Sequence, residues 1–260
     1  LVVSMAAGCG KGSSSSEEQE GVKTIEWWTP NWDEVESKEM AAEFEKEHPD
    51  ITREAYPYNV DFRVLEINAV GNKKIVTGGF KEGYWGALDS QNHIIPNVAE
   101  LPFDAGEVSG LEKGTVFGGI LKANSKQSKF VLSIRASDVF EIYRVSDDGI
   151  NRVYVSPFKH IPKTWKKGGG YAIDYNQSIG GIKNIAVSDD LICFSLFLQN
   201  YNEAAKTDFA SNELFCFDWD GNKVKKYVLP FPIGNFCIDG THIYGVRNFE
   251  DKIIIYRFNM

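Results

Sequence analysis

The longest insertion in the sequence, residues 160–181, carries the side chains best suited to binding a ligand. Trp165, Tyr171 and Tyr175 stand beside Lys166 and Lys167. Aromatic rings offer flat apolar surface with polar edges, and the lysines add positive charge. Insertions in repeat folds gather on one face and often carry binding. We interpret these residues as a candidate binding loop for a protein or a glycan; alternatively, the rings only pack the loop onto its neighbour.

The sequence contains no pattern that indicates catalysis, a cofactor or a metal site. The four histidines are widely spaced, and neither a GxSxG nor a CxxC motif occurs. The run Gly168–Gly170 lacks the GK[ST] of a phosphate loop, so we predict a flexible loop there. DWDGN, residues 218–222, begins like a calcium loop but has Lys223 and Leu229 where an EF-hand needs Gly and Glu. We read it as a hairpin turn, like Asp147–Gly149 and Asp189–Asp190.

The four cysteines fall into two groups. Cys193, Cys216 and Cys237 lie in apolar, strand-like runs, where cysteine usually behaves as a small buried hydrophobic residue. Cys9 instead follows small residues and precedes a Ser/Glu-rich stretch in LVVSMAAGCGKGSSSSEEQEG. This opening resembles the end of a bacterial lipoprotein signal peptide. The resemblance implies lipid attachment at Cys9, with residues 1–21 forming a signal remnant and a disordered tether to a membrane.

Recurring phrases in the rest of the chain indicate a repeat. Hairpin patterns occur at residues 64–79, 116–136, 185–198 and 236–246, each with a polar turn between β-branched or aromatic runs. A second phrase ends in Pro-Phe three times, at residues 101–103, 157–158 and 229–231. Two hairpins per unit give a four-stranded antiparallel repeat, which is typical of a β-propeller blade. A β-sandwich is the competing architecture.

We therefore predict an all-β chain, a partial β-propeller with three full four-stranded blades plus one partial blade. CFDWDGNKVKKYVL, SDVFEIYRV, KKIVTGGFKEGYWGALDS and the closing IIIYRFNM carry a more specific likeness. Residues 62–260 resemble the TolB-like six-bladed β-propeller lipoproteins. That resemblance implies a propeller fold and no established reaction.

Residues 22–61 have a different pattern. Strand-like Val22–Thr29 and Ile51–Tyr56 flank Glu34–His48, which has the periodicity of an amphipathic helix ended by Pro49. We predict a short βαβ segment before the propeller, with helix confined to about residues 33–48. IEWWT and FEKEHPDI make residues 1–60 resemble extracellular sugar-type solute-binding proteins of ABC importers. That resemblance implies that Trp28, Thr29 and Asn31 face a ligand.

Charge and composition narrow the classes of function. The 260 residues include 28 Lys and Arg against 36 Asp and Glu, a net charge of −8. Nucleic-acid binding is therefore not expected, because attraction to phosphates needs a clustered basic face. We predict a non-enzymatic, lipid-anchored cell-envelope propeller that acts in binding or scaffolding. The alternative is the carbohydrate-binding lipoprotein of an ABC importer, and a propeller hydrolase or lyase is the third reading.

Overall fold

The computed structural model describes most of the chain after residue 61 and short pieces before it. The described residues are 23–26, 46, 51–54, 62–71, 73–80, 83–89, 91, 94–95, 100–108, 112–167, 170–249 and 252–260. The chain divides into two compact units, residues 1–58 and 59–260. No helix within the described ranges is long and apolar enough to cross a membrane.

The first unit contains one pair of parallel strands. Strand β1 (Lys23–Glu26) pairs with β2 (Ile51–Glu54), so that Lys23 lies opposite Ile51. Lys46, between them in the sequence, is helical. Parallel strands need a crossover connection, usually a helix. The pairing therefore agrees with the predicted βαβ segment.

The second unit consists mainly of four antiparallel sheets in sequence order, here called blades A to D. Blade A contains β3 (Phe62–Val70), β4 (Lys73–Phe80), β5 (Trp85–Leu88) and β6 (Ile94–Ile95). Blade B contains β7 (Gly118–Asn124), β8 (Lys129–Ile134), β9 (Phe140–Ser146) and β10 (Gly149–Val155). Blade C contains β13 (Ile179–Val187), β14 (Ile192–Asn200), β15 (Ser211–Phe217) and β16 (Lys223–Ile233). Blade D contains β17 (Asn235–Ile238), β18 (His242–Phe249) and β19 (Lys252–Asn259).

These sheets confirm the predicted all-β propeller architecture, with three four-stranded blades and one of three strands within the described residues. The Pro-Phe phrase has two different positions. In blades A and B it follows the last strand, whereas Leu229–Phe231 lies inside β16. Strand β16 pairs only with β15 among the described strands, and an edge strand tolerates the missing N–H of Pro230.

Two short helices interrupt the sheets, contrary to the prediction that helix is confined to residues 33–48. Helix α1 (Glu112–Phe117) precedes blade B, and helix α2 (Tyr201–Ala205) links β14 to β15. The Asn200 side chain caps α2 by accepting a hydrogen bond from the Asn202 backbone N–H. Six and five residues are too short to show a clear 3.6-residue period, so the sequence pattern did not reveal either helix.

The blades lie side by side in sequence order, and the first strands of neighbouring blades are in contact. Strands β3, β7, β13 and β17 contact one another in that order. The apolar cores lie between neighbouring blades, as a radial repeat requires. One core joins blades A and B, a second joins B and C, and a third joins C and D.

Strand β8 shows how the sequence fits this arrangement. All six of its residues are buried, because blade B has a neighbouring blade on each face. Phe130 and Leu132 point into the core shared with blade A, and Val131 points into the core shared with blade C. The alternating apolar residues of KFVLSI therefore pack into two cores rather than one.

Each four-stranded meander separates the connections into two faces. The tight turns between first and second strands, and between third and fourth strands, lie at one end, here called the turn face. The other connections, including α1 and α2, lie at the opposite end, here called the connector face. Hydrogen bonds join the turns of neighbouring blades: Lys73 Nζ to the Ser146 carbonyl at 2.7 Å, and Asn124 Nδ2 to the Asp189 carbonyl at 2.8 Å.

The predicted hairpin turns are confirmed on the turn face. Asp218 Oδ1 accepts hydrogen bonds from the backbone N–H groups of Asp220 and Asn222. Gly221 has φ +87°, a conformation that glycine adopts without steric cost. The Asp218 carboxylate thus stabilises a turn by local hydrogen bonds, whereas Asp220 Oδ1 accepts one from Lys129 Nζ of blade B at 2.8 Å.

Candidate functional site

Within the insertion that carries the predicted binding residues, residues 164–167 and 170–173 form a β-hairpin. Strand β11 (Thr164–Lys167) pairs antiparallel with β12 (Gly170–Ile173) in the connection between blades B and C. Of the predicted loop glycines, Gly170 begins β12, and the other two lie outside the described residues. The hairpin forms because strand-favouring Thr, Trp, Tyr and Ile flank the glycines.

The register of the hairpin separates the candidate residues. Trp165 lies opposite Ala172, and Lys166 lies opposite Tyr171, so the two pairs occupy opposite faces. Lys166 Nζ is 5.9 Å from the centroid of the Tyr171 ring, and Trp165 is 49% exposed. Lys167 is the last residue of β11. The candidate residues therefore do not form one continuous surface.

Tyr171 anchors the hairpin to the connection between blades A and B. Its backbone N–H donates to Glu112 Oε1 at 3.0 Å, and its hydroxyl donates to Glu107 Oε2 at 2.5 Å. The hydrogen bond to the Glu107 carboxylate raises the pKa of Tyr171. These contacts support the alternative reading of Tyr171, in which the ring holds the insertion in place.

Tyr175 belongs to another group of side chains on the connector face. We call this group the cationic–aromatic cluster; it consists of Arg135, Tyr175, Lys183, Tyr201 and Phe209. Lys183 Nζ lies 4.2 Å from the centroid of the Tyr201 ring and 4.1 Å from that of Phe209. The Tyr201 centroid is 4.0 Å from that of Tyr175 and 5.1 Å from that of Phe209. A lysine ammonium over aromatic faces is a favourable cation–π arrangement.

Two members of the cluster lie in regular elements, and the other three lie in the connections beside them. Lys183 projects from β13, the first strand of blade C, and Tyr201 begins α2. Arg135 follows β8 and forms an isolated antiparallel bridge with Gly181, two residues before Lys183. Gly181 has φ +73°, and a Cβ there would lie 2.5 Å from the Ser137 backbone nitrogen. Only glycine permits this close approach of blades B and C.

The backbone beside the cluster is strained. Ala136 has φ +53°, Asp208 has φ +50° and Phe209 has φ +52°. Residues other than glycine adopt this region rarely and at a cost in free energy. Ala136 follows Arg135, so the strained positions hold a cation and a ring of the cluster in place.

The electrostatics of the cluster differ from those of the chain as a whole. Burial is the main cause that lowers the pKa of Lys183. The positive charge of Arg135 lowers this pKa further, to about 8. Among the described carboxylates, none forms an ion pair with Lys183 or Arg135. The cluster is thus a half-buried pair of cations beside three rings in a chain of net charge −8. It can hold an anion.

Other candidate residues have structural roles or lie outside the described part. Cys193 and Cys216 are buried as predicted, but they form a disulfide with a Cα–Cα distance of 4.1 Å instead of remaining free. The two residues lie directly opposite each other on β14 and β15, a register that the sequence alone did not reveal. Cys237, which was predicted to be buried, is instead exposed and forms no disulfide, because it lies at a non-core position of β17. Cys9, Trp28, Thr29 and Asn31 lie outside the described residues.

Sequence reasoning missed Arg135, Lys183, Tyr201 and Phe209. Each is an isolated polar or aromatic residue in its own segment, without a motif, and only the packing of blade B on blade C brings them together.

No group of three His, Cys, Asp or Glu side chains that could hold a metal ion occurs among the described residues. His160 Nδ1 lies 2.9 Å from Asp138 Oδ2, in the connections beside the cluster.

Three solved structures are similar to this chain at low identity. The β-propeller domain of Cps50 (Swd1) from Myceliophteria thermophila is 12% identical with a TM-score of 0.43, covering 75% of this chain and 53% of that one. Regucalcin, a calcium-binding protein from Agrobacterium tumefaciens, is 13% identical with a TM-score of 0.38, covering 76% and 58%. BamB from Moraxella catarrhalis is 11% identical with a TM-score of 0.37, covering 79% and 62%. The chain thus spans less than two thirds of each of these structures.

Comparison of the sequence with known families identifies the family of this chain. No curated protein sequence matches the chain significantly. The family model described as TolB-like 6-blade propeller-like matches residues 5–241. This match begins well before residue 62, where the predicted resemblance began, and it includes the segment compared with solute-binding proteins. Together with the four successive antiparallel blades, it shows that the chain belongs to the TolB-like 6-blade propeller-like family.

Proposed function

We propose that this protein is a non-enzymatic, lipid-anchored propeller of the cell envelope that binds its ligand or partner through the connector face. The cationic–aromatic cluster carries the proposal. It combines three rings with two cations that have no described carboxylate partner, where blades B and C meet. Such groups hold and orient a ligand, since a few placed polar groups among apolar ones are typical of binding sites.

The location in the envelope is supported by the cysteines. The Cys193–Cys216 disulfide is buried in the core between blades C and D. Disulfides form and persist in oxidising compartments, such as the periplasm or the cell surface. The Gly8-Cys9 junction and the Ser/Glu-rich stretch after it supply the anchor in this proposal.

The importer alternative gains no support from the comparisons. It rested on residues 1–60, and the propeller family match covers that segment from residue 5 onward. The parallel pairing of β1 with β2 fits a βαβ segment. However, that local topology occurs in many α/β proteins and does not specify a ligand cleft.

Metabolic labelling tests the anchor. Cells that express the wild-type chain behind a complete lipoprotein signal peptide, grown with a clickable fatty-acid analogue, should yield labelled protein in the membrane fraction. Cys9→Ser should abolish the label and release the protein from that fraction. Cys237→Ser, which removes an exposed thiol elsewhere in the chain, should keep both. Equal labelling of the wild type and Cys9→Ser would contradict the anchored form of the proposal.

A further inference from the structure

The two cations of the cluster lack a counter-charge within the described part of the chain. Arg135 Nη1 donates to the Thr115 carbonyl at 3.3 Å, and Lys183 Nζ rests on two rings. No carboxylate among the described residues forms an ion pair with either cation. Burying positive charge without a partner costs free energy, and a bound anion would offset that cost.

The donors that remain suit a carboxylate. A guanidinium has five N–H donors in a planar fork, and the Thr115 carbonyl engages one nitrogen of Arg135. The fork matches the two oxygens of a carboxylate, and the ammonium of Lys183 adds a point charge nearby. Arg135 forms a bridge with Gly181, two residues before Lys183 on β13, so both charges lie in the same region; the positive charge of Arg135 accordingly lowers the pKa of Lys183.

The rings indicate what accompanies the carboxylate. Tyr175, Tyr201 and Phe209 outnumber the two cations, and two of the rings carry hydroxyl groups. Pyranose rings have apolar C–H faces that pack on aromatic surface and hydroxyls that exchange hydrogen bonds with tyrosine. Trp165, 49% exposed, projects from the hairpin in the same connection as Tyr175.

The site is held in place before any ligand arrives. Asn200 Nδ2 donates to the Asn176 carbonyl at 2.7 Å, and Asn202 Nδ2 donates to Asn176 Oδ1 at 2.8 Å. These bonds fix the turn that carries Tyr175 against the helix that carries Tyr201. Together with the strained residues beside Arg135 and Phe209, they reduce the loss of entropy on binding.

We infer that the cationic–aromatic cluster is a subsite for the carboxylate of an acidic saccharide, a glycan that contains uronic acid residues. The inference rests on the proposed binding function and names its ligand class. Inorganic phosphate or tetraglutamate would also meet the two cations, but neither has an apolar ring face to pack on the aromatic rings, whereas a uronate has both a carboxylate and such a face.

Calorimetric titration with trigalacturonate tests this inference, with its methyl ester as the matched control that keeps the sugar rings and removes the charges. The acid should bind the wild-type chain, and the ester should bind at least about tenfold more weakly. This ratio corresponds to the loss of one or two charge-assisted hydrogen bonds.

Variants of the cluster then locate the site. Lys183→Met keeps an unbranched side chain on the rings, and Arg135→Gln keeps a hydrogen-bond donor; each should weaken binding of the acid about tenfold or more. Lys225→Met is the matched control, because Lys225 Nζ also lies 4.4 Å from a ring centroid, that of Tyr227, on the outer strand of blade C. It should change the affinity less than about twofold. Circular dichroism spectra and melting temperatures identify any variant that fails to fold.

Several results would overturn the inference. Equal binding of the acid and the ester, no binding of either, or equal losses in Lys183→Met and Lys225→Met would each do so. Tighter binding of tetraglutamate or inorganic phosphate than of trigalacturonate would assign the cluster to another ligand. If a neutral glycan or a protein binds and Tyr201→Ala abolishes that binding, the inference fails while the proposed function stands.

Discussion

Lys183 has an environment unlike that of an ordinary surface lysine. Its ammonium is half-buried against Tyr201 and Phe209, and Arg135 lies close enough to disfavour a second positive charge. Both influences penalise the charged form, and burial is the larger. At neutral pH Lys183 is therefore still mostly charged, but its pKa lies close to that pH.

The pKa of Lys183 can be measured by NMR after reductive methylation with ¹³C-formaldehyde. We expect one dimethyl-lysine resonance to titrate with a pKa of about 8. Lys183→Arg should remove that resonance and identify it. Arg135→Gln should raise the pKa only partly, because burial remains. A spectrum in which no lysine titrates below about pH 9.5 would contradict this description of the cluster.

Glu141 is a second ionisable residue whose environment disfavours its charged form. It lies in the core between blades A and B. Its side chain is fully buried; Oε1 accepts a hydrogen bond from Arg152 Nη1 at 2.8 Å, and Oε2 accepts one from the Tyr84 hydroxyl. Burial is the dominant influence and raises the pKa of Glu141 from 4.5 to about 7. The Arg152 contact opposes that shift without cancelling it.

This raised pKa gives stability a defined dependence on pH. Between about pH 4.5 and 7 the folded chain keeps the Glu141 proton while the unfolded chain loses it, so the folded state binds more protons. The free energy of unfolding should therefore fall as pH rises through this window, by roughly 2 to 3 kcal/mol. Glu141→Gln should flatten this part of a urea-denaturation profile. The control is Glu213→Gln, at a half-exposed glutamate paired with Lys226 at 2.7 Å, and it should keep this pH dependence.

At the scale of elements, the disulfide joins the two middle strands of blade C. Cys193 on β14 and Cys216 on β15 enclose a segment that includes α2 and the Phe209 link, with a sequence separation of 23. Cross-linking a loop of this length restricts the unfolded chain and stabilises the fold by roughly 3 kcal/mol. The disulfide therefore supports the two elements that carry Tyr201 and Phe209.

The double variant Cys193→Ala/Cys216→Ala should lose about 2 to 4 kcal/mol of unfolding free energy, measured by urea denaturation. A reducing agent should destabilise the wild type and leave the double variant unchanged. Cys237→Ala removes an exposed thiol and should stay within about 0.5 kcal/mol of the wild type. If the reductant has no effect on the wild type, the disulfide does not form in solution.

The turn between β15 and β16 is a second element-scale contact. Gly221 has φ +87°, and a Cβ there would lie 2.2 Å from the Tyr154 ring of blade B. Gly240, in the turn between β17 and β18, has φ +91° and nothing within 4 Å of a Cβ. The two glycines share a backbone conformation and differ in whether a neighbouring blade touches the turn.

That difference can be measured by substitution. Gly221→Ala and Gly240→Ala both incur the backbone cost of a left-handed alanine, and Gly221→Ala also forces a ring to move. We expect Gly221→Ala to be at least about 1 kcal/mol less stable than Gly240→Ala in thermal or urea denaturation. Equal losses would show that the turn does not pack against Tyr154.

At the scale of the whole molecule, sequence patterns predicted the blades because a four-stranded meander is a local structure. Hairpin phrases, Asp-Gly turns and Pro-Phe endings all lie within one repeat, so the order of strands in blades A to C followed from them. The hairpin β11–β12 was missed because its strands have only four residues each. Such short runs carry too little periodicity to be distinguished from a loop.

The candidate site was predicted only in part, since it depends on contacts between repeats. Tyr175 was singled out from the insertion, whereas its partners come from the β8–β9 connection, β13 and the segment after β14. The disulfide likewise required the register of β14 on β15. A single sequence records which residues are aromatic or charged, but not which blades bring them together.

The structure of the protein with trigalacturonate bound tests the central claim most directly, that the connector face of this propeller binds a ligand through the cationic–aromatic cluster. The account predicts a carboxylate of the ligand within hydrogen-bonding distance of Arg135 and Lys183, with a sugar ring against Tyr175 or Tyr201. A ligand seated on the turn face, or a complex in which these four side chains touch nothing, would contradict it.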